Sequence, residues 1–300
     1  MEDGVLWTNL TRSQIADGLT EHGFPVSVTV VDRLLEHFHM GQRKPQKVKT
    51  MRHDPDRDQQ FQQIARLKEE YLGIGLPVVS MDSKKREILG DFVRPGRLFS
   101  TAPRRGWDHD YPSHSSGVVI PHGLFDIGLN EGYLHLGDSH DTSTFSADAL
   151  IDYWQNYGRY RYPRAAELLL LCDGGGSNGS RRLIFKEELQ RVTDRIDMII
   201  RVAHYPPGCS KYNPIEHRLF PHIARNLQGL FLKSIEMVRD LVRQTTTTTG
   251  LRVFARTLRG LYLTGQQASV RTAEELRILF DPVLPQWNYL VYPTLIWEVI

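Results

Sequence analysis

Three hundred residues exceed one minimal domain and leave room for a large domain with an appendage, or for two domains. With 40% hydrophobic, 24% charged and 10% aromatic residues, the composition is that of a globular protein and excludes a disordered or fibrous chain. The net charge is only +2, the longest apolar runs are too short to span a bilayer, and no signal peptide is visible. Two cysteines, Cys172 and Cys209, exclude a disulfide scaffold and fit a reducing compartment, so a cytoplasmic protein is expected.

In chain order, "TRSQIADGLTEHG" sets Ile15, Ala16 and Leu19 on one helical face, with Thr11 or Ser13 as a cap and Gly23 as a stop. "PVSVTVVDRLLEHF" offers Ser27 as a second cap ahead of Val30, Val31, Leu34 and Leu35. Two helices joined through "HGFPVS" fit either a helix-turn-helix or a plain helical hairpin. In the first case the second helix presents Thr29, Asp32 and Arg33 to a major groove. The next stretch is basic: Arg43, Lys44, Lys47, Lys49 and Arg52 fall between Arg33 and Arg57. Such a connector either follows a phosphate backbone or is a solvated linker. It runs into the helical pattern "DQQFQQIARLKEEYLG".

From Leu76 the periodicity shortens. "PVVSMDS", "EILGDFV", "SGVVIPHGLFDIG" and "GYLHLGDS" read as successive strands, and "SADALIDYWQNYG" as a helix. After "RYPRAA" come a strand ending at Asp173, the helix "SRRLIFKEELQRVTD", the strand "MIIRVAHYP" and a helix after Asn213. Strands first and alternating helices and strands later indicate an α/β fold, a mixed sheet covered on both faces. Thr245 to Thr249 reads as a loop.

Three acids stand out: Asp82 in a strand, Asp173 at a strand end before "GGGSNGSR", and Glu216 at a helix start. Each has a bland explanation: a turn for Asp82, a helix cap for Asp173, and for Glu216 a capping box with Asn213 around Pro214. Together, on successive elements, they read as one oxygen-rich site for a hard divalent cation. Phosphodiester chemistry calls for such a site, since two Mg²⁺ ions roughly 4 Å apart stabilise the attacking and leaving oxygens. Asp138 and Asp141 are reserve acids that a turn also explains. His109, His122, His140 and His204 have no zinc-type spacing, and the glycine loop lacks the ending of a nucleotide-binding loop.

The blocks "HDPDRDQQFQQI", "LPVVSMDSKKREILGDF", "HGLFDIGLNEGYLHLG", "HDTSTFSADALIDYW", "CDGGGSNGSR", "HYPPGCSKYNPIEHRLF", "TTTTTGLRV" and "WNYLVYP" resemble, in this order, the Rhodopirellula-type insertion-sequence transposases of the DDE class. "PPG" followed by "NPIEH" is also similar to the mariner-like transposases. The resemblance implies a ribonuclease-H-like mixed sheet flanked by helices, with an N-terminal helix-turn-helix. It further implies an Mg²⁺- or Mn²⁺-dependent enzyme that cleaves DNA at element ends and transfers the strand to target DNA. The family's catalytic, metal-binding triad falls on Asp82, Asp173 and Glu216. Element-end and target DNA are the implied partners, with a homodimer or larger assembly on DNA, no membrane, and a nucleoid-associated location. A transposase-derived DNA-binding protein that no longer cuts is the alternative.

Lys84, Lys85, Arg181 and Lys211 lie beside the acids in sequence and are expected to contact phosphates, as are Thr29, Arg33, Arg43, Lys44 and Lys47. The expected organisation is a helix-turn-helix over 1–42, a basic linker and helix over 43–72, the catalytic domain over 73–240 and a C-terminal extension over 241–300. Family members carry more chain ahead of the helix-turn-helix, which implies a shortened end-recognition region here. Pro221 is expected inside the helix that carries Glu216, bending it beyond its first turn.

Overall fold

The structure, a computed structural model, describes residues 6–43, 54–175, 178–268 and 275–297. Lys44 and Lys47 lie outside the described residues. The chain divides into two compact units, residues 1–53 and 54–300.

In the first unit, α1 (Arg12–Glu21) and α2 (Val28–His37) form where the caps place them. Thr11 and Gln14 make a reciprocal capping box, and the Ser27 hydroxyl accepts the Val30 N–H. Gly23 leaves the first helix with φ +88°, a conformation that favours glycine. Asp32 is bonded at 2.9 Å to Arg12 of the preceding helix, an exposed pair that braces the two helices; Thr29 and Arg33 are exposed as well. Only Ala16 and Val31 are buried on these helices.

The second unit is built on one sheet. Among the described residues its strands are β1 (Val78–Ser83), β2 (Glu87–Leu89), β3 (Gly117–Asp126), β4 (Glu131–Gly137), β5 (Glu167–Asp173), β6 (Ile199–Tyr205), β7 (Arg252–Thr257), β8 (Ile278–Phe280) and β9 (Asn288–Val291). The order is β7-β4-β3-β1-β5-β6-β9-β8, with β2 paired to β3 off this path. β1 runs parallel to β5 and antiparallel to β3, and β5 parallel to β6, so the sheet is mixed. Helices cover both faces: α3 (Arg57–Gly73), α4 (Ser143–Tyr153), α5 (Arg159–Arg161), α6 (Leu183–Ile196), α7 (Pro214–Arg218), α8 (Phe220–Asn226) and α9 (Ile235–Arg243). This is the fold class the sequence led to expect.

Burial explains why β5 reads as an unbroken apolar run. Leu168, Leu170 and Cys172 pack toward α4 and α6, whereas Leu169 and Leu171 pack against Ile64, Leu67 and Tyr71 of α3. The face bearing α7, α8 and α9 has a separate core that includes Phe125, Leu134, Leu219, Val238 and Val242.

Two local expectations give way. Glu216 and Pro221 do not share a bent helix: α7 ends at Arg218, Leu219 leaves helical geometry (φ −125°, ψ −60°), and α8 restarts with Pro221 in its first turn. A proline in the first turn forfeits no hydrogen bond, whereas inside a continuous helix it would clash with the carbonyl of His217. Leu219, fully buried, occupies the break. The residues expected as a C-terminal extension instead complete the sheet at both sides, β7 against β4 and β9 against β6.

Candidate active site

The two strand acids meet because their strands are parallel neighbours. The β1–β5 register pairs Met81 with Cys172, and Asp82 and Asp173 are the next residues along. Alternation along each strand sends both carboxylates to the face that carries α3 and α7. They line one cleft of about 300 Å³ together with Gly174, Gly175, Pro206, Pro207, Gly208 and Ser210. Gly174 permits a close approach, since a Cβ there would stand 2.6 Å from the Tyr205 carbonyl oxygen.

Glu216 arrives on α7, close enough to Asp82 and Asp173 for its charge to act on both. Its bland reading fails on geometry, because Asn213 makes no side-chain cap on α7. Fully buried, Asn213 instead ties three elements together. It accepts a short hydrogen bond from the Ser80 hydroxyl and donates to the Met81 carbonyl and to Asp173 Oδ1, both at 3.2 Å. The Ile215 N–H donates to the same Ser80 hydroxyl at 3.1 Å, fixing the start of α7 to β1. Neither Ser80 nor Asn213 was singled out from sequence as part of a site. The signals were a serine inside an apolar strand and an asparagine that local spacing explained as a cap.

The electrostatics follow from this crowding. Burial and the charge of Asp173 push the Asp82 carboxyl up to about 8; the Ser83 N–H, 2.7 Å away, opposes this, while Glu216 adds to it. Burial raises Asp173 to about 6 against the pull of the Asn213 amide, with the Glu216 charge adding to the rise. Behind Asp173, His204 is buried and pushed down to about 4, mainly by desolvation. Its Nδ1–H donates to the Asp173 carbonyl at 3.1 Å, so its Nε2 accepts the Tyr289 hydroxyl at 3.0 Å.

The donor set is all oxygen, as a hard cation requires. Carboxyl groups crowded this closely disfavour one another's charge, and a divalent cation relieves that cost. Among the described residues, no three His, Cys, Asp or Glu side chains already stand as a metal-ligand set.

The other expected residues fall as follows. Lys84 is ion-paired with Glu87, which also binds Arg94 at 3.2 Å. Lys85 and Arg181 are exposed, and Lys211 is exposed with its ammonium 5.0 Å from the Tyr212 ring centre. Arg43 is exposed in the first unit. Of the reserve acids, Asp141 reaches the site's edge by accepting the Ser83 hydroxyl at 2.8 Å. No helix among the described residues is long and apolar enough to cross a membrane.

The family model of the Rhodopirellula transposase DDE domain matches residues 1–293. The chain belongs to this family. It is a DDE transposase, as the sequence blocks implied. No curated protein matches it. Similar solved structures include the Mos1 transposase paired-end complex with the left transposon end: 14% identity, 80% of this chain and 72% of that one, TM-score 0.46. The Mos1 mariner paired-end complexes with Mn (14% identity) and with Mg (13%) each cover 80% of this DDE transposase and 72% of that chain, at TM-score 0.44.

Proposed function

We propose that this DDE transposase cleaves DNA at the ends of its own element and joins the freed 3′-hydroxyl to target DNA, with Asp82, Asp173 and Glu216 holding Mg²⁺ or Mn²⁺. The observation that supports this reading most is the meeting of Asp82 and Asp173 in one cleft, with Glu216 of α7 close enough for its charge to act on both. When bound, the metal would activate the attacking oxygen and neutralise charge on the leaving one. The chain's own part is positioning. Asn213 and Ser80 hold α7 and Asp173 in place, and the backbone at Gly174 and Gly175 leaves space for a phosphodiester. Lys85, Arg181 and Lys211, near the acids in sequence and exposed, serve as phosphate contacts. In the first unit, exposed Thr29 and Arg33 on α2 give the helix-turn-helix its reading surface, with Arg43 on the adjoining backbone. Joining two ends calls for a homodimer or larger assembly on DNA.

The test incubates the protein with its element's terminal repeats and Mg²⁺. Nicking and joined products are expected, and Asp173→Asn should remove both while DNA binding persists. Binding by the wild type without nicks would mean a transposase-derived DNA-binding protein. Cutting of branched DNA without joining would mean a structure-specific nuclease.

A further inference from the structure

A second cleft, of about 260 Å³, lies at the β7 edge of the sheet, lined by Arg239 and Arg243 of α9 and by Arg256, Thr257 and Arg259 of β7 and the turn after it. Local ion pairing does not use these guanidiniums up. The four share three carboxylates: Asp240, bonded to Arg239 at 2.9 Å and 3.7 Å from Arg243, Asp152 at 3.0 Å from Arg256, and Glu236 at 3.7 Å from Arg259. The pairs of Arg243 and Arg259 are exposed and exchange readily for a stronger anion, the Arg259 side chain being 82% exposed, whereas Arg256 is held by the mostly buried Asp152 of α4. Forked guanidiniums on two facing elements suit phosphate oxygens.

The register places this cleft relative to the acids. Ser83 of β1, His122 of β3, His135 of β4 and Arg256 of β7 stand in one row across the sheet. β1 and β7 point the same way, so Arg256, Thr257 and Arg259 lie at the same end of the sheet as Asp82 and Asp173. α9 packs on the same face as α7. Three strand spacings of about 4.8 Å separate β1 from β7 and four separate β5 from it, so the acids stand about 14–19 Å from β7, or roughly four to six base pairs of duplex at about 3.4 Å each.

We propose that this arginine cleft is a second DNA-backbone site, gripping phosphates about four to six base pairs from the phosphodiester held at Asp82 and Asp173; it rests on the active-site reading above only for that spacing. The test uses the full chain as wild type, Arg239→Gln/Arg243→Gln and, as a variant that removes little packing, Arg259→Gln. On a random duplex without divalent metal, the salt slope of log Kobs should shrink by roughly 1.8 in the double variant and 0.9 in the single one. Asp240→Asn should tighten binding. On the terminal repeat, phosphate-ethylation interference about four to six base pairs from the cut should vanish in the double variant and remain at the cut itself. Unchanged slopes in both arginine variants would overturn the site. Smaller slopes with interference at some other distance would overturn its alignment with the acids. Failure of the wild type to cut its repeat would count against the active-site reading alone, since the random-duplex slopes do not depend on cleavage.

Discussion

Asn213 shows how much a single buried amide settles here. It satisfies Ser80, Met81 and Asp173 at once, and no water-exposed route replaces those bonds. Asn213→Ala should lower unfolding stability by about 1–3 kcal/mol in urea titration, the cost of leaving buried partners unpaired. It should also weaken Mn²⁺ binding measured by calorimetry, because Asp173 loses its tether. His122 gives a pH signature of another kind. Fully buried, with Nδ1 2.9 Å from the Ser83 hydroxyl and no partner for Nε2 among the described residues, it is pushed down to about 3 by desolvation. The unfolded state therefore binds a proton that the folded state refuses between about pH 6.5 and 3. Its contribution is fully present above pH 6.5 and is lost as pH falls through that window. Urea unfolding between pH 4 and 6 should show stability rising with pH by up to about 1.4 kcal/mol per unit more in the wild type than in His122→Asn.

At the scale of elements, the break between α7 and α8 brings Glu216 to the sheet. Leu219 fills the break, and Ile215 and Phe220 lie directly over Gly123, the register partner of Asp82. A Cβ on Gly123 would meet Phe220 at 2.7 Å and Ile215 at 2.8 Å. Gly123→Ala should therefore displace α7 and reduce nicking of the terminal repeat more than it reduces DNA binding. Leu219→Ala, which opens a cavity under both helices, should cost about 2–5 kcal/mol in urea or thermal unfolding. Pro221 explains the break: a chain that cannot continue one helix starts another, and the turn between them aims the first at Asp82.

For the whole molecule, the sheet spans almost the entire second unit, with strands from residue 78 to residue 291. Truncation after Arg243 should abolish cooperative unfolding and leave the remainder protease-sensitive, since it strips Val253 and Ala255 from one core and Tyr289 and Val291 from another. The sequence by itself determined the order and type of the elements from α1 to β6 and the cap at Ser27, and it put forward the three acids. Those features are written in local periodicity, capping chemistry and contiguous family blocks. Only the tertiary structure decided that Asn213 braces the site instead of capping a helix, that α7 stops at Arg218, that Lys84 is paired with Glu87, and that the last residues close both sides of the sheet. It also decided that four arginines on α9 and around β7 share one cleft. Each of these depends on neighbours distant in sequence or on strand register, and pairing across a sheet leaves no local pattern that separates a buried brace from a cap or a spare cation from a paired one.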